Sequence, residues 1–389
     1  MKKTKYESYL VRKLPKGCSL CPNGKKSVLY ITGLCPNHCF YCPLSDTRNQ
    51  IDKVWINEKE VEDTYDIKKT IEEIKLCKSK GVGITGGEPL VKLDRTLEYI
   101  KELKKTFGKN FHIHMYTTMK LLTLEKIELL YEAGLDELRV HPMIENLLEI
   151  KSILTLKLLA LKKLYNKSFG IEIPVIPDKK EEIKYLIKLI YGYADFINLN
   201  ELEISDNNSN NILGYGYETS SEYAYSIKGS LGAGLDILKF VESENKKNKN
   251  HNLNAHLCTC KLKDSYQLKN RLKNRANSIK TKYDKIVDDF MLERFVIYPK
   301  ELSLDKTKKE RDEIVTQQKE DIQNNLNNFS NLLKELKINH IIDENLHRIV
   351  FDKGKINLIK NKLNGLDLLI YKVIEYPSSD FTMIESEII

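Results

Sequence analysis

The chain has 389 residues, 41% of them hydrophobic and 30% charged, with a formal net charge of +8 and eight cysteines. That length suits two or three domains, and the sequence holds no run of about 18 apolar residues to span a bilayer. The basic N-terminus, Met1-Lys2-Lys3-Thr4-Lys5, leads into no apolar stretch, which argues against a secretory signal and for a cytoplasmic protein whose clustered cysteines hold metal rather than disulfides.

From residue 28 to 203 short apolar, β-branched runs alternate with amphipathic stretches. Strands are predicted at 28–33, 81–85, 111–117, 137–140, 170–176 and 196–200. Helices are predicted at 65–79, 94–107, 124–133, 143–165 and 179–191. Strand–helix repeats of about 30 residues predict parallel βαβ units, an α/β fold. Residues 206–215 read as a polar loop and 221–243 as a helix. Helical periodicity returns over 255–283, after Cys258 and Cys260. Between Lys246 and Lys285 stand twelve Lys and Arg against two Asp, a local charge of +10. Such a stripe is either a solvated helix face or an attractor of RNA, DNA or an acidic protein. Ile322, Leu326, Phe329, Leu333 and Leu336 mark one face of a long helix. Strand-like runs at 347–351 and 368–375 follow, so 287–389 reads as a small α+β domain. The expected division is 1–27, 28–205, 206–286 and 287–389.

Three cysteines, Cys35, Cys39 and Cys42, stand in Cys35-Pro36-Asn37-His38-Cys39-Phe40-Tyr41-Cys42. Three thiolates on a tight loop can hold three irons of a [4Fe–4S] cluster and leave the fourth open, which separates a reactive centre from a closed one. A zinc knuckle or closed ferredoxin-like site would need a fourth ligand nearby, and His38 lies inside the loop. Downstream, Gly86-Gly87-Glu88-Pro89 ends the second predicted strand. Its glycines permit close backbone approach, and its carbonyls with Glu88 can accept hydrogen bonds from an ammonium group.

Together the two motifs resemble the radical S-adenosylmethionine (radical SAM) superfamily. The resemblance implies a partial (β/α)6 barrel with its chemistry at the C-terminal ends of the strands. It also implies a [4Fe–4S] cluster on the triad, Tyr41 against the adenine, and the Gly86–Pro89 turn at the methionine amino group of SAM. The implied reaction is reductive cleavage of SAM to methionine and a 5′-deoxyadenosyl radical that abstracts hydrogen from a substrate. Residues 28–44, 83–90, 198–203 and 375–377 are more closely similar to an uncharacterised family related to activases of glycyl-radical enzymes such as pyruvate formate-lyase. That likeness implies an anaerobic setting, a ferredoxin- or flavodoxin-like electron donor and a protein or peptide substrate. The extra cysteines and the C-terminal domain depart from a minimal activase, so RNA and small molecules stay open as substrates. A non-catalytic iron–sulfur or zinc protein is the rival class.

Further polar residues fall at strand ends. Thr117 and Thr118 could meet the ribose or carboxylate of SAM, and Arg139 could pair a carboxylate bidentately. Glu172, Asn198 and Asn200 sit within apolar runs, where inward polar groups need either a polar cofactor or a cross-barrel hydrogen bond. Cys18 and Cys21 form a C-x2-C knuckle that could join Cys258, with His256 or Cys260, around zinc or an auxiliary iron–sulfur cluster. His112 and His114 share one face of a strand and read as satisfied histidines, and Cys77 as an inert buried thiol.

Overall fold

The computed structural model describes residues 1–143, 167–222, 224–248, 251–363 and 366–389. They form two compact units, Met1–Arg271 and Leu272–Ile389. Among the described residues no helix is long and apolar enough to cross a membrane.

The first unit is built on parallel strands. The six expected ones appear as Lys26–Tyr30, Gly81–Thr85, His112–Thr118, Glu137–His141, Ser168–Val175 and Phe196–Glu201. Each pairs in parallel with the next in that order. Helices cover them at Ile67–Leu76, Leu93–Phe107, Leu124–Ala133 and Lys180–Ile190. The strands are buried on both faces: Leu29, Ile84, Ile113, Met115, Leu138 and Ile171 on the apolar face are inaccessible to solvent, and the other face buries polar groups such as His114, Arg139 and Asn198. The helix expected at 143–165 lies, apart from Met143, outside the described residues.

A seventh parallel strand, Asn254–Cys258, pairs with the sixth, setting His256 opposite Asn198 and Cys258 opposite Asn200. This corrects the reading of the segment as part of a helical extension. The strand is five residues long, and one face is Asn254, His256 and Cys258. A polar face on so short a strand gives no apolar run to detect. Its far edge pairs antiparallel with Tyr9–Val11, with Leu10 opposite His256. The N-terminal segment is thus stitched into the same eleven-stranded sheet, whose edges are Lys2–Lys3 and Lys59–Val61. The helix expected at 221–243 runs instead over Ser230–Lys247, after Gly229 turns the chain with φ of 86°. The polar stretch 206–215 contains a short helix, Ser209–Gly214.

The second unit is a six-stranded antiparallel sheet faced by the long helix Lys308–Glu335. The buried face of that helix carries Ile322, Leu326, Phe329 and Leu333, four of the five expected. Its longest strand, Met291–Pro299, pairs with Leu368–Glu375 along its length. The fully buried Arg348 donates from Nε to Asp343 at 3.0 Å and pairs with Glu375.

Candidate active site

After the first parallel strand the chain turns at Thr32-Gly33 into the cysteine loop. A Cβ on Gly33 would lie 1.7 Å from the Arg48 carbonyl oxygen, so the close approach needs glycine. Gly33 donates to Ile51 O at 2.8 Å and accepts from Gln50 N at 3.0 Å, while Gln50 Nε2 donates to Cys35 O at 2.8 Å. Asp52 braces the base of the loop, accepting from Thr32 Oγ1 at 2.9 Å, Arg95 Nη1 at 2.7 Å and Lys92 Nζ at 2.8 Å. Arg95 also donates to Ile31 O at 3.0 Å. Burial raises the Asp52 pKa, but the hydrogen bonds from Arg95, Lys92 and Thr32 outweigh it and hold the carboxyl well below its usual range. At the far end of the loop Asn208 Nδ2 donates to Tyr41 O at 3.2 Å, and Asn207 donates to Leu44 O. The loop backbone is thus fixed from both sides. Cys35 and Cys39 are half-buried and Cys42 is exposed. All three line one cavity of 780 Å³ together with Gly86, Gly87, Glu88, Thr117 and Thr118.

The glycine turn packs directly on this loop. Gly87 N donates to Thr32 O and Glu88 N to Leu34 O, both at 2.8 Å. A Cβ on Gly86 would meet Thr32 O at 2.3 Å and one on Gly87 would meet Leu34 O at 2.4 Å. The two sequence motifs are therefore hydrogen-bonded to each other, and the glycines make that contact possible. Glu88 is fully buried. Its carboxylate accepts from Leu90 N at 2.9 Å, Thr117 Oγ1 at 2.8 Å and Thr118 N at 2.7 Å. Burial raises its pKa against those hydrogen bonds. Glu88 is thus first a strut joining the turn to the end of the third strand, and Thr117 spends its hydroxyl there. Pro89, also buried, opens the turn Pro89–Lys92 beneath the cavity.

Three thiols lining one cavity are the donor chemistry of an iron–sulfur cluster. Among the described residues the one trio of His, Cys, Asp or Glu ligating atoms within 4.8 Å of one another is His112, His114 and Glu137. A tetrahedral zinc would hold sulfurs about 3.8 Å apart. The Cys35, Cys39 and Cys42 thiols are spread more widely than that.

Tyr41, Tyr116, Arg139, His141, Glu172 and Asn200 line both this cavity and a second one of 380 Å³. In this shared wall Tyr41 OH lies 2.8 Å from His141 Nε2, and His141 Nδ1 lies 3.0 Å from Glu172 O. Arg139, fully buried, donates from Nε to Glu137 Oε1 at 2.7 Å and from Nη1 to Glu172 Oε2 at 2.6 Å. It performs the carboxylate pairing expected of it, but on the protein's own Glu137 and Glu172. Burial raises the Glu172 pKa, yet Arg139 and a 3.0 Å hydrogen bond from Asn200 Nδ2 leave it lowered.

Cys18, Cys21, His256 and Cys258 all line the second cavity. Cys21 packs with Cys258, and Arg139 Nη1 lies 3.4 Å from Cys18 Sγ. Asn198, expected beside SAM, borders this cavity and not the first. Its Oδ1 lies 2.6 Å from His256 Nδ1 and 3.6 Å from Cys18 Sγ. Burial pushes the Cys18 thiol up to about 12 and raises Cys258 as well, while it lowers His256 to about 4. Cys260 is off the cavity, its amide donating to Glu201 Oε2 at 2.8 Å. His112 and His114 are not satisfied as expected. Although buried, His112 Nε2, both His114 ring nitrogens and Glu137 Oε2 have no hydrogen-bond partner among the described residues. The basic stripe is partly turned inward, with Arg271 paired to Glu58, Lys263 to Glu203 at 2.6 Å, and Arg275 buried on Pro377 O and Ser378 O.

The sequence pattern of the radical SAM superfamily matches residues 29–190. A Methanocaldococcus jannaschii protein named "Putative glycyl-radical enzyme activating enzyme MJ0021" is 40% identical over 288 residues, 73% of this chain and 74% of that protein. The chain belongs to the radical SAM superfamily. It is a radical SAM enzyme, and membership implies SAM and a [4Fe–4S] cluster. A solved radical SAM methyltransferase, TsrM of Kitasatospora setae with tryptophan and a SAM analogue bound, matches with a TM-score of 0.36 and 12% identity. That match covers 68% of this chain and 54% of the methyltransferase, so the chain spans about half of its length. A likeness at that level carries no argument about this radical SAM enzyme.

Sequence reasoning missed the braces of the site. Asp52, Arg95 and Gln50 have no local signature, since Asp52 and Arg95 are 43 residues apart. Asn207 and Asn208 read only as loop. A signal for the seventh strand does exist in the alternation Asn254, His256, Cys258, which mirrors Asn198 and Asn200 on its neighbour.

Proposed function

We propose that Cys35, Cys39 and Cys42 ligate the [4Fe–4S] cluster and that SAM binds in the 780 Å³ cavity beside the Gly86–Pro89 turn, at the C-terminal ends of strands curved into a partial barrel. The observation that carries this is the direct hydrogen bonding of the turn to the cysteine loop across one cavity. When bound, the cluster supplies the single electron that splits SAM into methionine and a 5′-deoxyadenosyl radical. The chain does the rest by positioning. The loop backbone is locked by Gln50, Asp52 and Asn208, so the thiols meet the metal without reordering. Glu88 ties the turn to Thr117 and Thr118, which fixes the carbonyls of Gly86 and Gly87 as acceptors for an ammonium group. Tyr41 and the shared wall screen the cavity floor from water.

The substrate we favour is a protein or peptide, with a ferredoxin- or flavodoxin-like electron donor. The cavity mouth supports this. Phe40 packs against Tyr215 with ring centroids 4.4 Å apart, and Tyr215 is 67% exposed, with Leu213 exposed nearby. An exposed apolar and aromatic rim suits a docking polypeptide better than a phosphate backbone. RNA is less favoured because Arg271 and Arg275 face inward.

The test is anaerobic. Protein reconstituted with iron and sulfide, reduced and given SAM should release 5′-deoxyadenosine, and Cys39→Ala should abolish the release. An intact, cluster-loaded protein that yields none, or a Cys39→Ala variant that still yields it, overturns the proposal.

A further inference from the structure

The 380 Å³ cavity gathers the second cysteine group. It is bounded by the seventh parallel strand, the N-terminal turn and the shared wall. We infer that it holds an auxiliary iron–sulfur cluster on the thiolates of Cys18, Cys21 and Cys258, with His256 Nε2 as the fourth donor.

Four observations carry this. First, residues more than two hundred positions apart converge on one buried pocket through sheet pairing. The Tyr9–Val11 strand runs beside Asn254–Cys258, which brings the Lys16–Leu20 helix with Cys18, and Cys21 just after it, to Cys258. Second, His256 is prepared as a ligand. It is 2% exposed. Asn198 Oδ1 can only accept, so it takes the proton of His256 Nδ1 at 2.6 Å. That leaves Nε2 with its lone pair, and Nε2 has no hydrogen-bond partner among the described residues. A metal-bound histidine is commonly oriented in just this way by an outer acceptor. Third, positive charge stands on the cavity wall beside the thiols. Lys26 is 8% exposed on its wall and makes no carboxylate ion pair among the described residues. The groups that face it include Cys21, Tyr116 and Cys18, with the carboxylate of Glu172 also near, though already paired to Arg139. Arg139 approaches Cys18 from the other side. A buried ammonium beside protonated thiols is costly, whereas one beside metal thiolates is compensated. Loading would displace three thiol protons.

Fourth, the ligating atoms do not sit at the close spacing of a preformed tetrahedral zinc site. No three ligating atoms of this group lie within 4.8 Å of one another, whereas those of His112, His114 and Glu137 do. The second cysteine group shares the wider spread of Cys35, Cys39 and Cys42.

The decisive variant removes the first site and leaves this one: Cys35→Ala, Cys39→Ala and Cys42→Ala together. After anaerobic reconstitution it should keep about four irons and four acid-labile sulfides per chain, against about eight of each for the intact protein. No iron and sulfide in this variant, or one zinc in their place, overturns the inference. Cys258→Ser should lose the second complement yet still cleave SAM. Failure of SAM cleavage in the intact protein would sink the reading of the first site and leave this readout untouched. Lys26→Met keeps every ligand and should make the auxiliary cluster harder to reduce, and an unchanged midpoint potential would overturn the charge argument. His256→Ala should alter the resonance spectrum of the reduced auxiliary cluster, and an identical spectrum would remove His256 from the ligand set.

Discussion

The two cysteine cavities share a wall and differ in everything that surrounds their thiols. In the first, the cysteines ride on a loop, one of them exposed, and the cavity opens beside an aromatic rim. In the second, Cys18, Cys21 and Cys258 are all buried, on or next to a helix and a sheet strand, with a buried lysine and arginine beside them. On the assignment proposed above, the difference follows from task. A centre that must admit a cosubstrate needs an accessible iron, and a loop braced from behind provides access without slack. A centre closed by protein ligands needs no entry path in use, and it can afford burial only if its charge is matched. Arg139, Glu172 and Tyr41, standing between the two, belong to both.

The contrast can be broken most forcefully at Gly87. In Gly87→Ala the new Cβ would meet Leu34 O, a backbone atom that cannot swing aside, and overpacking of this kind costs about 1–3 kcal/mol. The turn and the cysteine loop should separate. Iron at the first site and 5′-deoxyadenosine release should both fall steeply, while the second cavity keeps its metal. Equal loss from both cavities would mean that they do not load independently. A smaller effect is expected from Glu88→Gln. The amide retains one acceptor oxygen but turns NH2 toward either Thr117 or Thr118, leaving a buried donor unsatisfied at about 1–3 kcal/mol. KM for SAM should rise more than kcat falls, because the turn is loosened rather than removed. A kcat loss alone would make Glu88 a participant in the chemistry instead of a strut.

The same two cavities divide what could be read in the sequence from what could not. Cys35, Cys39, Cys42 and the Gly86–Pro89 turn were legible because their geometry is local, each set confined to one loop after one apolar strand. The six central strands were legible for the same reason, as each carries closely spaced apolar residues on one face within a short local run. The second cavity was legible only as a list of residue types. Its geometry depends on an antiparallel edge pairing between residues 9–11 and 255–257, a long-range contact that neither segment announces by itself. Asn198 borders the second cavity and not the first, because inward direction is readable from alternation, whereas position along the strand relative to a neighbour is not. Arg139 was given a ligand carboxylate because its partner Glu172 lies on the neighbouring strand, 33 residues away. His112 and His114 were taken as satisfied, since a sequence cannot count hydrogen bonds.

The smallest expected effect concerns Asp52 and separates bracing from ligation. Its folded pKa is depressed below the ordinary value of 3.8 by Arg95, Lys92 and Thr32, against the opposing pull of burial. A depressed carboxylate contributes stability that is present above its unfolded pKa and is lost as pH falls through the folded one. The metal-free protein should therefore begin to lose this contribution below about pH 4, with the loss complete only below the folded pKa, whatever its cysteines are doing. Asp52→Asn keeps the acceptor for Thr32 but not the charge facing Arg95, and should cost about 1 kcal/mol at neutral pH. The gap between the urea midpoints of the two proteins should then be constant from pH 7 to about 4 and begin to narrow below it, closing only as pH falls through the far lower folded pKa. A gap that stays constant below about pH 4 would mean that the carboxylate charge does not hold the loop and that shape alone does. If the gap narrows while iron loading of Asp52→Asn stays complete at neutral pH, the brace tunes the loop without choosing the metal, which leaves that choice to the three thiols.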